Sequence, residues 1–123
     1  MKEPIILLGG GGHCKSCIDV IEQEGRYEII GITDKKEKHG QLMAGYPVIG
    51  TDEDLPELKK TCNNFIVTVG HIQSPALRIQ LFSLLEELDV NIPVIVSPNA
   101  HVSRHARIGR GTIVMHGAII NTE

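Results

Sequence analysis

The chain has 123 residues, a formal net charge of -3, 41% hydrophobic and 22% charged residues, and only 3% aromatics with no Trp. Such a balance is ordinary for a globular domain and argues against a nucleic-acid platform: there is no basic excess to neutralise phosphates and there are few rings on which bases could stack. No apolar stretch is long enough to span a bilayer and no secretory leader pattern opens the chain, so a cytosolic protein is expected, its three Cys serving as thiols rather than as a disulfide framework.

Ile5-Ile6-Leu7-Leu8 is an apolar run that ends on Gly9-Gly10-Gly11-Gly12, the pattern of a buried strand feeding a tight turn. A helix is expected from about Cys14 to Glu24, with Cys17, Ile18 and Ile21 facing inward and Gly25 as its stop. Tyr27 to Ile32 predicts a second strand ending at Asp34, and the polar stretch Lys35 to Gly45 reads as a loop. Pro47 to Gly50 is a short third strand, after which Thr51 or Asp52 could cap a helix through Leu55 and Leu58. Phe65 to Val69 is a fourth strand closed by Gly70. Leu77, Leu81, Leu84, Leu85 and Leu88 then fall on one helical face, with Pro75 in the first turn, where a missing N–H costs little. Ile92 to Val96 is a last extended segment. Strand and helix in alternation indicate right-handed crossovers and a mostly parallel, Rossmann-like sheet with helices on both faces. That α/β domain is expected to cover residues 1–97.

From residue 98 the pattern changes to a period of six. Val102, Ile108, Val114 and Ile120 are aliphatic, and two residues before each stand the small Ala100, Ala106, Thr112 and Ala118. A hexapeptide period marks a parallel β-helix, in which each block forms one flat side, its aliphatic residue points inward and its small residue fits a corner. Residues 98–123 are therefore expected to begin a left-handed β-helix without completing it, since one coil cannot bury its own stacking faces. The alternative is a two-strand hairpin tail with coincidental spacing.

The four glycines let the backbone approach a bulky anion and aim N–H groups and a helix N-terminus at a phosphate. Asp34, at the end of the second strand, stands where such sheets contact a ribose or base. A plain tight turn is the other reading. The dinucleotide fingerprint fits imperfectly, because Cys14 occupies the place of its third Gly or Ala.

Together, Gly9-Gly10-Gly11-Gly12-His13-Cys14-Lys15, the helix with Asp19, Gly31-Ile32-Thr33-Asp34, Pro47-Val48-Ile49-Gly50, Val67-Thr68-Val69-Gly70 with Arg78, and the tail from Ser97-Pro98-Asn99-Ala100-His101-Val102-Ser103 onward resemble the PglD/NeuD-type sugar acetyltransferases. The resemblance implies a nucleotide-sugar substrate, a UDP-amino-sugar or sialic-acid-like compound, in the N-terminal domain. It implies acetyl-CoA bound along the β-helix between subunits of a homotrimer, and a β-helix His as general base. Carried onto this sequence, Gly9, Gly10, Gly11, Gly12 and His13 would cradle the phosphates, Asp34 and Lys35 would lie near the nucleoside, and Gly70 and His71 would close the pocket.

Two departures from the family pattern matter. Cys14 replaces the small Gly usual after the His. No residue up to Glu123 matches the catalytic His, so the chain alone is expected not to acetylate, whether it is part of a longer protein or a shortened relative. His101, His105 and His116 do not share a column of the repeat and so suggest no metal site; of the three, His116 is best suited to act as a base, with a solvent-facing side chain as the default. Arg104, Arg107 and Arg110 could meet coenzyme A phosphates or form a solvated face. Cys14-Lys15-Ser16-Cys17 is a C-x-x-C at a strand-to-helix junction, which leaves a redox reading open beside an NAD-type reading and a non-catalytic nucleotide-binding or assembly module.

Overall fold

In a computed structural model, which describes residues 1–70 and 75–121, successive side chains of the first strand enter two different cores. Strand β1 (Glu3–Leu8) sends Ile5 and Leu7 to one face and Ile6 and Leu8 to the other, all four fully buried. A strand covered on both faces needs an unbroken apolar run, as the sequence has. On the first face lies helix α1 (Gly12–Glu24), which contributes Cys14, Ile18, Val20 and Ile21. On the second lie α2 (Leu55–Leu58) and α3 (Pro75–Leu88), contributing Leu55, Leu81 and Leu85.

The sheet is completed by β2 (Tyr27–Thr33), β3 (Leu42–Met43), β4 (Tyr46–Gly50) and β5 (Phe65–Val67), in the order β3-β4-β2-β1-β5. All pairs are parallel except the edge hairpin β3–β4. The mostly parallel α/β architecture expected from the sequence is thus the observed one. The helix boundaries follow local chemistry. Gly25 ends α1 in a left-handed conformation (φ +82°), its N–H donating to the Ile21 carbonyl. Thr51 and Asp54 form a reciprocal cap before α2, and Pro75 opens α3. The polar stretch read as a loop holds a short 3-10 turn (Lys36–Lys38) and β3. Two residues are too short for a period-two pattern to reveal.

Ile92 to Val96 does not extend the sheet. Asn91 makes one parallel bridge beside Asn64, and Pro93 and Val94 then lead away to β6 (Ile95–Val96). Strand β6 pairs in parallel with β8 (Ile113–Val114), and β7 (His101–Val102) pairs in parallel with β9 (Ile119–Ile120). In both pairs the partners stand 18 residues apart, Ile95 opposite Ile113 and His101 opposite Ile119. That offset is three hexapeptides, so the six-residue period has become stacked rungs instead of a hairpin, whose strands would be antiparallel. The rungs are not free-standing: Ile95, Ile113 and Met115 join the core under α1, and Gly111 lies against Phe82 of α3.

Candidate functional site

In this sheet the chain turns one way from β1, to β2 and β4, and the other way to β5. Ligands of open α/β sheets bind at such a switch point, outside the carboxyl ends of the strands. Here the ends of β1, β2 and β5 enclose a cleft of about 340 Å³ lined by Gly9, Gly10, Gly11, Gly12, His13, Asp34, Lys35, Lys38, Thr68, Val69, Gly70 and Leu77. A hollow of similar volume, about 370 Å³, lies at the start of the sheet around Met1, Glu3, Arg26 and Tyr27. It is at the wrong end of the strands for the dipoles and loops that recognise ligands.

The four glycines have different jobs. Gly9 has φ +109°, and a Cβ there would lie 2.3 Å from Val69 Cγ1. At Gly10 a Cβ would stand 3.1 Å from Asp34 Oδ2, the atom that accepts the Gly10 N–H at 2.9 Å. Protein packing therefore accounts for both. At Gly11 and Gly12 a Cβ would meet nothing within 4 Å among the described residues, so packing among these gives no reason for glycine at either. They stand at the N-terminus of α1, which has no acidic residue in its first turn and no side-chain cap. A helix start of this kind presents N–H groups and positive potential to whatever occupies the cleft.

Asp34 is more constrained than the sequence suggests. Its Oδ1 accepts the Lys35 N–H at 2.7 Å, its Oδ2 holds Gly10, and Lys38 Nζ stands 3.9 Å away. The carboxylate thus shapes the turn and anchors a lysine-bearing rim. On the far side, Thr68 is buried, its hydroxyl donating to the Gly9 carbonyl at 2.6 Å, which ties the end of β5 to the turn. Gly70 lies against His13; a Cβ there would approach His13 Cβ to 3.1 Å. The hydroxyl of Thr33, at the end of β2, is buried with no hydrogen-bond partner among the described residues.

The structure brings Gly9, Gly10, Gly11, Gly12, His13, Asp34, Lys35 and Gly70 around one cleft; His71 lies outside the described residues. Sequence reasoning missed Lys38, Thr68, Val69 and Leu77. Lys38 carried a signal, being four residues past Asp34, and Thr68-Val69 lie on the strand end that faces the glycines. Leu77 carried none, because its helical stripe assigns it to the core.

The C-x-x-C thiols lack the setting of a redox pair. Both are buried. Burial pushes the Cys17 thiol up to about 12, helped by the neighbouring Cys14. Burial also raises Cys14, against the hydrogen bond to Thr68. Reactive thiols need the opposite shift. In the tail, His101 and His105 are exposed, and Arg110 pairs with Glu86 at 2.8 Å and lies over the Phe82 ring, so it packs the rungs onto α3. His116 is held from both sides, Nε2 on Asp19 Oδ2 at 2.8 Å and Nδ1 on the Ser97 hydroxyl. No helix among the described residues is long and apolar enough to cross a membrane.

The model of the PglD N-terminal domain matches residues 4–85, two thirds of the chain. Among solved structures, PerB from Caulobacter crescentus, in complex with CoA and GDP-perosamine, is 29% identical with a TM-score of 0.84; the match covers 96% of this chain and 54% of that one. The acetyltransferase domain of PglB from Neisseria gonorrhoeae FA1090, in complex with acetyl coenzyme A, is 32% identical with a TM-score of 0.83, over 97% of this chain and 56% of that one. This chain spans about half the length of either. RSP, a Rex-family repressor, shares the fold alone, at 12% identity and a TM-score of 0.56 over 94% of this chain and 53% of its own. No curated protein matches the chain.

Proposed function

This chain belongs to the PglD N-terminal domain family, and we propose from that premise that its glycine cleft binds a nucleotide-activated amino sugar destined for acetyl-CoA-dependent acetylation. The observation that carries the reading is the pair Gly11 and Gly12, open to the cleft at an uncapped helix start. Amides so placed suit a diphosphate. Lys35 and Lys38 add positive charge on the nucleoside side, and Asp34 keeps the turn in shape through Gly10. The two solved relatives, with GDP-perosamine and CoA in one and acetyl coenzyme A in the other, support both the acceptor and the donor.

The 18-residue rungs are the opening coil of a left-handed β-helix, residues 98–123 following a nucleotide-sugar domain of residues 1–97, with β6 as the join. Acetyl-CoA supplies the activated acetyl group in such a transfer. This chain's part is to bind the sugar nucleotide by its phosphates and hold its acceptor amine or hydroxyl toward the rungs, where much of the rate gain comes from fixed placement of two reactants. No residue of this chain is assigned the general base; His116 has both ring nitrogens engaged. A cytoplasmic homotrimer is the assembly that fits this reading.

Titration calorimetry of the chain with UDP, GDP, CMP and NADH tests it. A nucleoside diphosphate is expected to bind, and Gly11→Val and Gly12→Ala are expected to weaken it about 10- to 100-fold, because the added side chain holds the phosphate away from amides that themselves remain, with the fold intact. Binding of NADH without any response to nucleoside diphosphates would overturn the proposal.

A further inference from the structure

Helix α1 carries cleft-facing amides at its first residue and, along its length, a second set of polar groups turned toward the rungs. Asp19, whose side chain is 59% exposed, accepts from His116 Nε2 at 2.8 Å. His116 Nδ1 meets the Ser97 hydroxyl, and Ser97 Oγ accepts the Asn99 N–H at 3.0 Å. At the end of α1, Glu24 Oε2 accepts the Val96 N–H at 2.9 Å while Arg26 donates to both Glu24 oxygens.

Aspartate, histidine and serine in a row suggest a nucleophile, but the details oppose it. Ser97 is 2% exposed, so no substrate reaches its oxygen. The ring is also turned the other way from a hydrolytic triad, with serine on Nδ1 and the carboxylate on Nε2. What the arrangement does satisfy is hydrogen bonding. With His116 neutral and its proton on Nε2, the ring donates to Asp19, the Ser97 hydroxyl donates to Nδ1, and the Asn99 amide donates to Ser97. Both ring nitrogens and the Ser97 hydroxyl have partners, and the row joins residues 97 positions apart.

We propose that Asp19, His116 and Ser97 form a clasp that fixes the stacked rungs against α1 and so sets where the rungs stand relative to the glycine cleft at the head of the same helix. His116 is then a positioning residue: it holds the second binding region at a set distance from the first. The consequence of the clasp for transfer rests on the reading of the cleft above.

Two spin labels test the clasp, one at Leu42→Cys on β3 and one at Ile119→Cys on β9, both sites being 69% exposed; the native Cys are buried and stay unlabelled in the folded chain. The parent is expected to give one narrow distance distribution. Asp19→Ala broadens and shifts it, while Asp19→Asn, which keeps an oxygen to accept from Nε2–H, leaves it narrow, with the helical circular dichroism signal unchanged in both. A narrow distribution in Asp19→Ala, or equal broadening in Asp19→Asn, overturns the clasp. Calorimetry with GDP on the same variants separates the two readings. Lack of GDP binding in every variant sinks the cleft assignment and leaves the distance result to decide the clasp.

Discussion

The sheet and the rungs are both parallel β-structure, yet β1 has a helix layer on each face and Ile5 to Leu8 fully buried, whereas the rungs are covered only where they meet α1 and α3, and Ile119 is left 69% exposed. A sheet between two helix layers closes its core within one domain. The described rungs stack two deep, so their stability draws on the interface they borrow. The rungs borrow it through Ile95, Ile113 and Met115 against α1, Arg110 and Gly111 against α3, and the hydrogen bonds of Glu24 and Asp19.

This contrast can be broken by paired substitutions. Leu85→Ala removes a fully buried side chain beneath the sheet and is expected to cost about 3–5 kcal/mol in urea unfolding, with protection lost throughout. Val114→Ala, in a rung, is expected to cost about 1–2 kcal/mol and to speed amide exchange from β6 to β9 while β1 stays protected. Equal losses that collapse both regions together would show one cooperative unit and dissolve the comparison.

Gly9→Ala tests how rigidly the sheet defines its turn. The positive φ and the approach to Val69 should cost about 2–4 kcal/mol, against a small gain from Gly12→Ala within the helix. If Gly9→Ala is neutral, the turn is softer than its packing indicates. Glu24→Ala should cost about 1–2 kcal/mol by leaving the Val96 amide without its acceptor, and the effect should show first as faster exchange at Val96. The smallest change expected is a gain: Thr33→Val replaces a buried hydroxyl that has no partner among the described residues and should raise stability by about 1 kcal/mol. A loss there would mean that the hydroxyl has a partner in solution.

Much of this was legible in the chain. The apolar run Ile5 to Leu8, Leu81 and Leu85 of the α3 stripe and Gly25 appear where the sequence places them, because each is a local pattern with a local cause, whereas Leu77 of that stripe stands exposed at the cleft. The glycine turn and Asp34 could be placed from the strand ends they follow, whereas His13, Lys35 and Gly70 were named through the family resemblance. The two-residue strand β3 was invisible for want of length. Pairing of Ile95 with a rung instead of the sheet was invisible because an aliphatic pair suits either partner.

By itself the sequence determined the periods, and through them an α/β sheet followed by hexapeptide rungs, since the repeat of apolar residues is set by the pitch of the element that must bury them. Only the tertiary structure divided the four glycines into two required by packing and two facing open space. It alone turned Asp34 inward onto Gly10 and brought Asp19 to His116. Those facts are distances between residues far apart in the chain, and such distances come into existence only when the layers pack.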